Sequence, residues 1–155
     1  MRRLCRFCMA NKEAAEARTV DLVLDSTLES VDTAEEAVLR EAHELGFDED
    51  DMHRIGMSVR ECMVNAVVHG NRYNARKKVY LTVTRTADRL AIVIGDEGEG
   101  FDMNSLPDPL ANENLLRHSG RGLLLIQAFM DEFQMRAREP KGAEVRMVKY
   151  LAKAS

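Results

Sequence analysis

Apolar and polar residues alternate along residues 19–25 (TVDLVLD) and stop at Ser26, the two-residue period of a strand with one covered face. The period then lengthens. Val31, Ala34, Val38, Ala42 and Leu45 recur at helical intervals, predicting a helix over 30–45 that Gly46 ends. Asp48 to Asp51 give the next helix an acidic start, favourable beside the positive end of its dipole. Ile55, Val59, Cys62, Met63 and Ala66 then gather on one side of a helix expected to run as far as Gly70. KVYLTVTR (78–85) and RLAIVIG (89–95) are β-rich and separated by Thr86-Ala87-Asp88, a hairpin pattern. Residues 122–130 are apolar enough for a buried helix. Residues 132–138 and 144–151 alternate as two closing strands, joined through Pro140-Lys141-Gly142. The order β, α, α, β, β, α, β, β predicts an α+β fold, a two-layer α/β sandwich on a mixed, mostly antiparallel sheet. One domain is expected over 18–155, behind a flexible N-terminal segment, 1–17.

Composition narrows the class. The chain has 155 residues, 45% hydrophobic and 31% charged, which is a globular balance in a length able to bury a core. No apolar run approaches the ~20 residues that span a bilayer. The start is basic, then acidic, without an apolar stretch, so no signal peptide is expected. A net charge of −4 argues against nucleic acid as the principal, direct partner. The three cysteines do not make a disulfide framework. Cys5 and Cys8 have CxxC spacing, but no second pair completes a zinc site, so both read as thiols of a reducing compartment. Cys62 reads as a small core residue. A cytoplasmic chain is expected, with no membrane association.

Three segments carry candidate chemistry. On the second helix Glu61, Asn65 and His69, four apart, form a ridge beside the apolar stripe, with Ser58 and Arg54 close by. Glu61 offers a carboxylate able to take a proton from a nucleophile, and Asn65 an amide oxygen suited to Mg²⁺. Read alone, the pair also fits a solvated helix face. Gly70 is placed to cap this helix at positive φ. In DEGEGF (96–101), Gly98 and Gly100 let backbone approach a ligand, and Asp96 can accept a hydrogen bond from an exocyclic amine such as adenine's. A plain acidic turn fits this loop equally, although the spacing of an EF-hand is absent. In HSGRGL (118–123), backbone N–H groups ahead of an apolar helix suit a phosphate, with Arg121 and Arg117 as nearby positive charges. A flexible hinge is the alternative. The pattern is neither a Walker A loop nor a Rossmann fingerprint. The irregular stretch 96–120 between the last two segments is long for a compact domain, which is usually a sign of function.

Taken in order, ExxxNAxxHG (Glu61, Asn65, Ala66, His69, Gly70), DxGxGF (Asp96, Gly98, Gly100, Phe101) and SGRGL (Ser119 to Leu123) resemble the N, G1 and G2 boxes of the GHKL ATPases. The likeness covers about residues 19–151. The short length, the absence of a histidine-bearing dimerisation domain and the NAxxHGN wording resemble the anti-sigma-factor serine kinases (RsbW type) within that superfamily. A detached histidine-kinase domain fits less well, since His43 stands alone on its helix with no phosphoacceptor hairpin.

The resemblance implies a Bergerat ATP-binding fold with ATP and Mg²⁺ as cofactors. It implies that Glu61 is the catalytic general base, activating a serine hydroxyl on a partner, and that Asn65 is the Mg²⁺ ligand. It assigns Asp96 to adenine, Gly98 and Gly100 to the loop beside the nucleotide, and Ser119, Gly120, Arg121 and Gly122 to the β/γ-phosphates. The implied activity is a protein-serine kinase that phosphorylates a STAS-domain anti-anti-sigma protein and also holds a sigma factor, in a homodimer. A binding module with little kinase activity is the alternative, and Glu61 favours the kinase. One departure stands out: where the family often has Gly-Thr before the last strand, this chain has Gly142-Ala143. The missing hydroxyl is worth about 1 kcal/mol of nucleotide affinity.

Overall fold

The computed structural model describes residues 17–99 and 120–152. Its elements are β1 (Arg18–Asp25), α1 (Leu28–Leu45), α2 (Glu49–Val64), a π-helical turn (Asn65–Gly70), β2 (Lys78–Arg85), β3 (Arg89–Gly95), α3 (Gly120–Phe129), β4 (Glu132–Ala137) and β5 (Ala143–Tyr150). Cys5, Cys8 and most of the segment 1–17 lie outside the described residues, as do Gly100, Phe101, Arg117 and Ser119.

Local chemistry sets the helix starts. Thr27 caps α1 by accepting the Ser30 N–H at 3.4 Å, so α1 begins two residues ahead of the periodic pattern. Asp48 caps α2 through the Asp51 N–H at 2.8 Å. Gly46, at φ 98°, ends α1 and returns its N–H to Ala42 and His43.

The strands form one sheet in the order β1-β2-β3-β5-β4. All four pairings are antiparallel, so the expected mixed component is absent among the described strands. The reason is where β5 inserts. The connection from β3 through α3 to β4 is a crossover, but β5 folds back as a hairpin on β4 and fills the place between the two. Register puts the apolar residues in rows. Leu22, Leu81, Ile94, Val145 and Met135 make one row, and Val20, Val83, Ile92, Met147 and Phe133 the next. Against that face pack Val31, Ala34, Val38 and Ala42 of α1 and Ile55, Val59, Cys62 and Met63 of α2, all buried. The other face carries the row Asp21, Thr82, Val93, Arg146 and Gln134, polar except at the central strand β3, where Ala91 and Val93 stand.

Candidate functional site

The site grows from the end of α2. An α-helix to Gly70 was expected, with Gly70 at positive φ. Instead the chain leaves α geometry at Asn65, and the N–H of Asn71 reaches back five residues to Ala66 at 2.8 Å. Such π turns are rare and occur often at functional sites. Positive φ falls on Arg72 (51°) and Tyr73 (58°), not on Gly70. Gly70 is glycine for another reason: a Cβ there would run into the Asp96 carboxylate.

That contact joins the helix end to the loop after β3. A Cβ on Gly98 would strike the carbonyl of Gly70, and one on Gly142, which sits at φ 114°, would strike the carbonyl of Asp96. The loop after β3, the helix end and the turn before β5 are thus stacked backbone on backbone, leaving no room for a side chain at these glycines. Asp96 lies among them, 7% exposed. Its Oδ1 accepts the N–H groups of Gly98 at 2.9 Å and Ala143 at 3.2 Å, and its own N–H donates to Ala143 O at 2.9 Å. Burial pushes the Asp96 carboxyl above the ordinary aspartate range, against the pull of those two N–H groups and the charges of Arg138 and Lys77.

At the other end of the ridge, a Cβ added to Gly122 would lie 2.6 Å from Glu61 Oε2, so the Glu61 carboxylate abuts the first turn of α3. Gly120, Arg121 and Gly122 form that turn. The first N–H groups of the helix, which have no intrahelical partner, and the positive end of its dipole stand there. Ser58 and Arg54 do not join Glu61: the buried Ser58 hydroxyl donates to Arg54 O at 2.8 Å, and Arg54 pairs with Asp51 at 3.0 Å. His69 is exposed. The Cys62 thiol, between these groups in the core, is pushed up to about 12 by burial and then by the charges of Asp96 and Glu61, so it stays protonated and inert.

Among the described residues, three buried side-chain atoms lack a hydrogen-bond partner. Two of them, Glu41 Oε2 and Arg85 Nε, face one another 3.1 Å apart as an ion pair. The third, Asn65 Oδ1, has no counterpart. A buried amide oxygen without a donor costs about 1–3 kcal/mol, which a hard cation would offset.

Several participants were not foreseen as site residues. Asn71, 1% exposed, bonds the loop after β3 through Glu97 N–H at 2.9 Å. The Glu97 carboxylate is spent on Lys78 N–H at 2.6 Å and the Tyr80 hydroxyl at 3.2 Å. Arg138 lies 4.0 Å over the Tyr80 ring and against Gly95. The sequence signal for Asn71 was its place directly after the HG pair, and for Gly142 only a turn between strands.

The family described as the histidine kinase-like ATPase domain matches residues 24–149. The anti-sigma F factor of Oceanobacillus iheyensis is 33% identical over 107 residues, 68% of this chain and 73% of that protein. The anti-sigma F factor of Bacillus subtilis is 32% identical with the same two shares, and that of Bacillus thuringiensis is 31% identical over 108 residues, 68% and 74% of the two chains.

Proposed function

The chain belongs to the histidine kinase-like (GHKL) ATPase family, with anti-sigma F factors among its relatives, and on that premise we propose that it is an ATP-dependent protein-serine kinase that also holds a sigma factor. Its substrate protein in this reading is a STAS-type anti-anti-sigma factor, and it works in the cytoplasm as a homodimer. No helix among the described residues is long and apolar enough to cross a membrane.

The observation that carries the reading is the unpartnered, buried oxygen of Asn65, four residues from a carboxylate that abuts the start of α3. Asn65 Oδ1 fits Mg²⁺ as an oxygen ligand, and no cluster of three or more His, Cys, Asp or Glu side chains competes for a metal among the described residues. The ion, when bound, neutralises charge on the phosphate oxygens. Asp96 accepts the exocyclic amine of adenine with the lone pairs that Gly98 and Ala143 leave free. Gly70 and Glu61 mark the two ends of one continuous helical stretch, α2 and the π turn that follows it, along which a nucleoside triphosphate is laid. The N–H groups of Arg121 and Gly122 donate to the terminal phosphates. Gly100 and Ser119 belong to the same proposal. Glu61, set against that turn, takes the proton of the incoming serine hydroxyl as the serine oxygen bonds to the γ-phosphorus of ATP and the bond from that phosphorus to the bridging oxygen breaks, leaving ADP.

The test is incubation of the chain with labelled ATP, Mg²⁺ and proteins encoded beside it. Phosphoserine on one partner is the expected result, lost with Glu61→Ala. Nucleotide binding without transfer to any partner makes the chain an ATP-responsive anti-sigma module, and absence of adenine-nucleotide affinity removes both readings.

A further inference from the structure

We infer that Asn71, backed by Ser26, is a positioning residue that aims the Asp96 carboxylate, and through it sets the preference for adenine; this rests on the nucleotide-binding reading above. Asn71 follows directly on the π turn and is 1% exposed, so it cannot touch a nucleotide itself. Its amide is nonetheless fully engaged. Nδ2 donates to Ser26 Oγ at 2.9 Å and to the Lys78 carbonyl at 3.0 Å, while Oδ1 accepts the Glu97 N–H at 2.9 Å. Ser26 is 3% exposed and donates its own hydroxyl hydrogen to Lys77 O at 2.5 Å, which leaves its oxygen as the acceptor for Asn71.

These bonds converge on one residue. Asp96 lies between two peptide planes. The plane before it is held by its N–H on Ala143 O at 2.9 Å, and the plane after it by Glu97 N–H on Asn71 Oδ1 at 2.9 Å. Fixing both planes fixes the direction of the Cα–Cβ bond that carries the carboxylate. Glu97 strengthens the second clamp by returning its carboxylate to Lys78 N–H, the residue whose carbonyl Asn71 already holds. Four segments are thereby tied to one amide: the end of β1, the end of the π turn, the start of β2 and the loop after β3. Only an amide fits this position, because it must donate twice and accept once. Aspartate there has no donor, and an aliphatic side chain leaves Ser26, Lys78 O and Glu97 N–H unpaired in the interior.

The role separates from plain stability through the nucleobase. Inosine diphosphate replaces the exocyclic amine with a carbonyl oxygen and puts a hydrogen on the adjacent ring nitrogen, so the ratio of ADP to IDP affinity reads the edge of the base that faces Asp96, while the sugar and phosphates stay the same. Calorimetric titration of the whole chain with each nucleotide and Mg²⁺ is the measurement. Asn71→Ala is expected to weaken ADP about ten-fold and to leave IDP little changed, one hydrogen bond's equivalent. Ser26→Ala is expected to shift the ratio the same way by about three-fold, and it decides the matter should Asn71→Ala fail to fold. In an Asp96→Asn background, Asn71→Ala is expected to lower the ratio no further. Equal weakening of both nucleotides, or an unchanged ratio in a folded variant, overturns the positioning role. A parent chain that binds neither nucleotide overturns instead the reading on which it rests.

Discussion

The two ends of the ridge on α2 are built differently. At the Asp96 end the carboxylate, the Asn71 amide and the Glu97 side chain all have hydrogen-bond partners within the protein, and three glycines bring backbone into direct contact. At the Glu61 end, Asn65 Oδ1 is buried without a donor, and Glu61 makes no hydrogen bond or ion pair to another described residue. The first end is finished by folding. The second is left open by the described residues, and in the proposed reading a bound nucleotide and its metal complete it. Satisfied buried groups hold a geometry in place, while an unsatisfied one stores free energy that a ligand releases on binding.

That contrast can be broken by substitution, because the two ends should respond in opposite ways. Asn65→Ala is expected to have the largest effect: Mg-ATP binding is abolished in calorimetric titration, while chemical denaturation shows stability unchanged or higher, since an orphaned oxygen has been removed. A loss of stability above about 1 kcal/mol would show that Asn65 is a structural group after all. Glu61→Ala is expected to keep nucleotide affinity and to slow phosphoryl transfer by about 10²–10⁴-fold, as removal of a general base does. A variant that transfers as fast as the parent removes that role.

At the finished end the pattern reverses. Gly142→Ala forces a Cβ into the Asp96 carbonyl at φ 114°, and is expected to cost about 2–3 kcal/mol of stability by denaturant titration, with weaker nucleotide binding as a consequence. The smallest effect is a gain. Ala143→Thr places a hydroxyl beside the carboxylate that Ala143 N–H already contacts at 3.2 Å, and should tighten ADP by about five- to ten-fold. No tightening would mean that the backbone alone completes this edge of the site.

Most of the fold was legible because alternation and helical period are direct imprints of a sheet with one covered face and helices laid on it. Residues 78–85 and 89–95 match β2 and β3 to the residue. Parallel against antiparallel pairing was less legible, since strand patterns do not say which neighbour a strand will take; the position of β5 between β3 and β4 decides that. The site divides similarly. Glu61, Asn65, Asp96, Gly98 and Gly122 were visible as residue types in order. The π turn was not, because nothing in NAVVHG distinguishes a wider turn from an α turn until Asn71 finds Ser26 and Glu97. Gly142 and the Ser26 and Glu97 bonds of Asn71 depend on contacts spanning 26 residues or more along the chain, which no local pattern encodes.

The sheet order also bears on how the molecule comes into being on the ribosome. β1, β2 and β3 can zip together as soon as they emerge, each beside its neighbour, but β4 has nowhere to go until β5 is made to lie between it and β3. Gly142 and Ala143, which close the wall around Asp96, are delivered with that late strand. A nascent chain released after residue 137 would therefore hold a three-stranded ribbon, a stranded β4 and half of the candidate site.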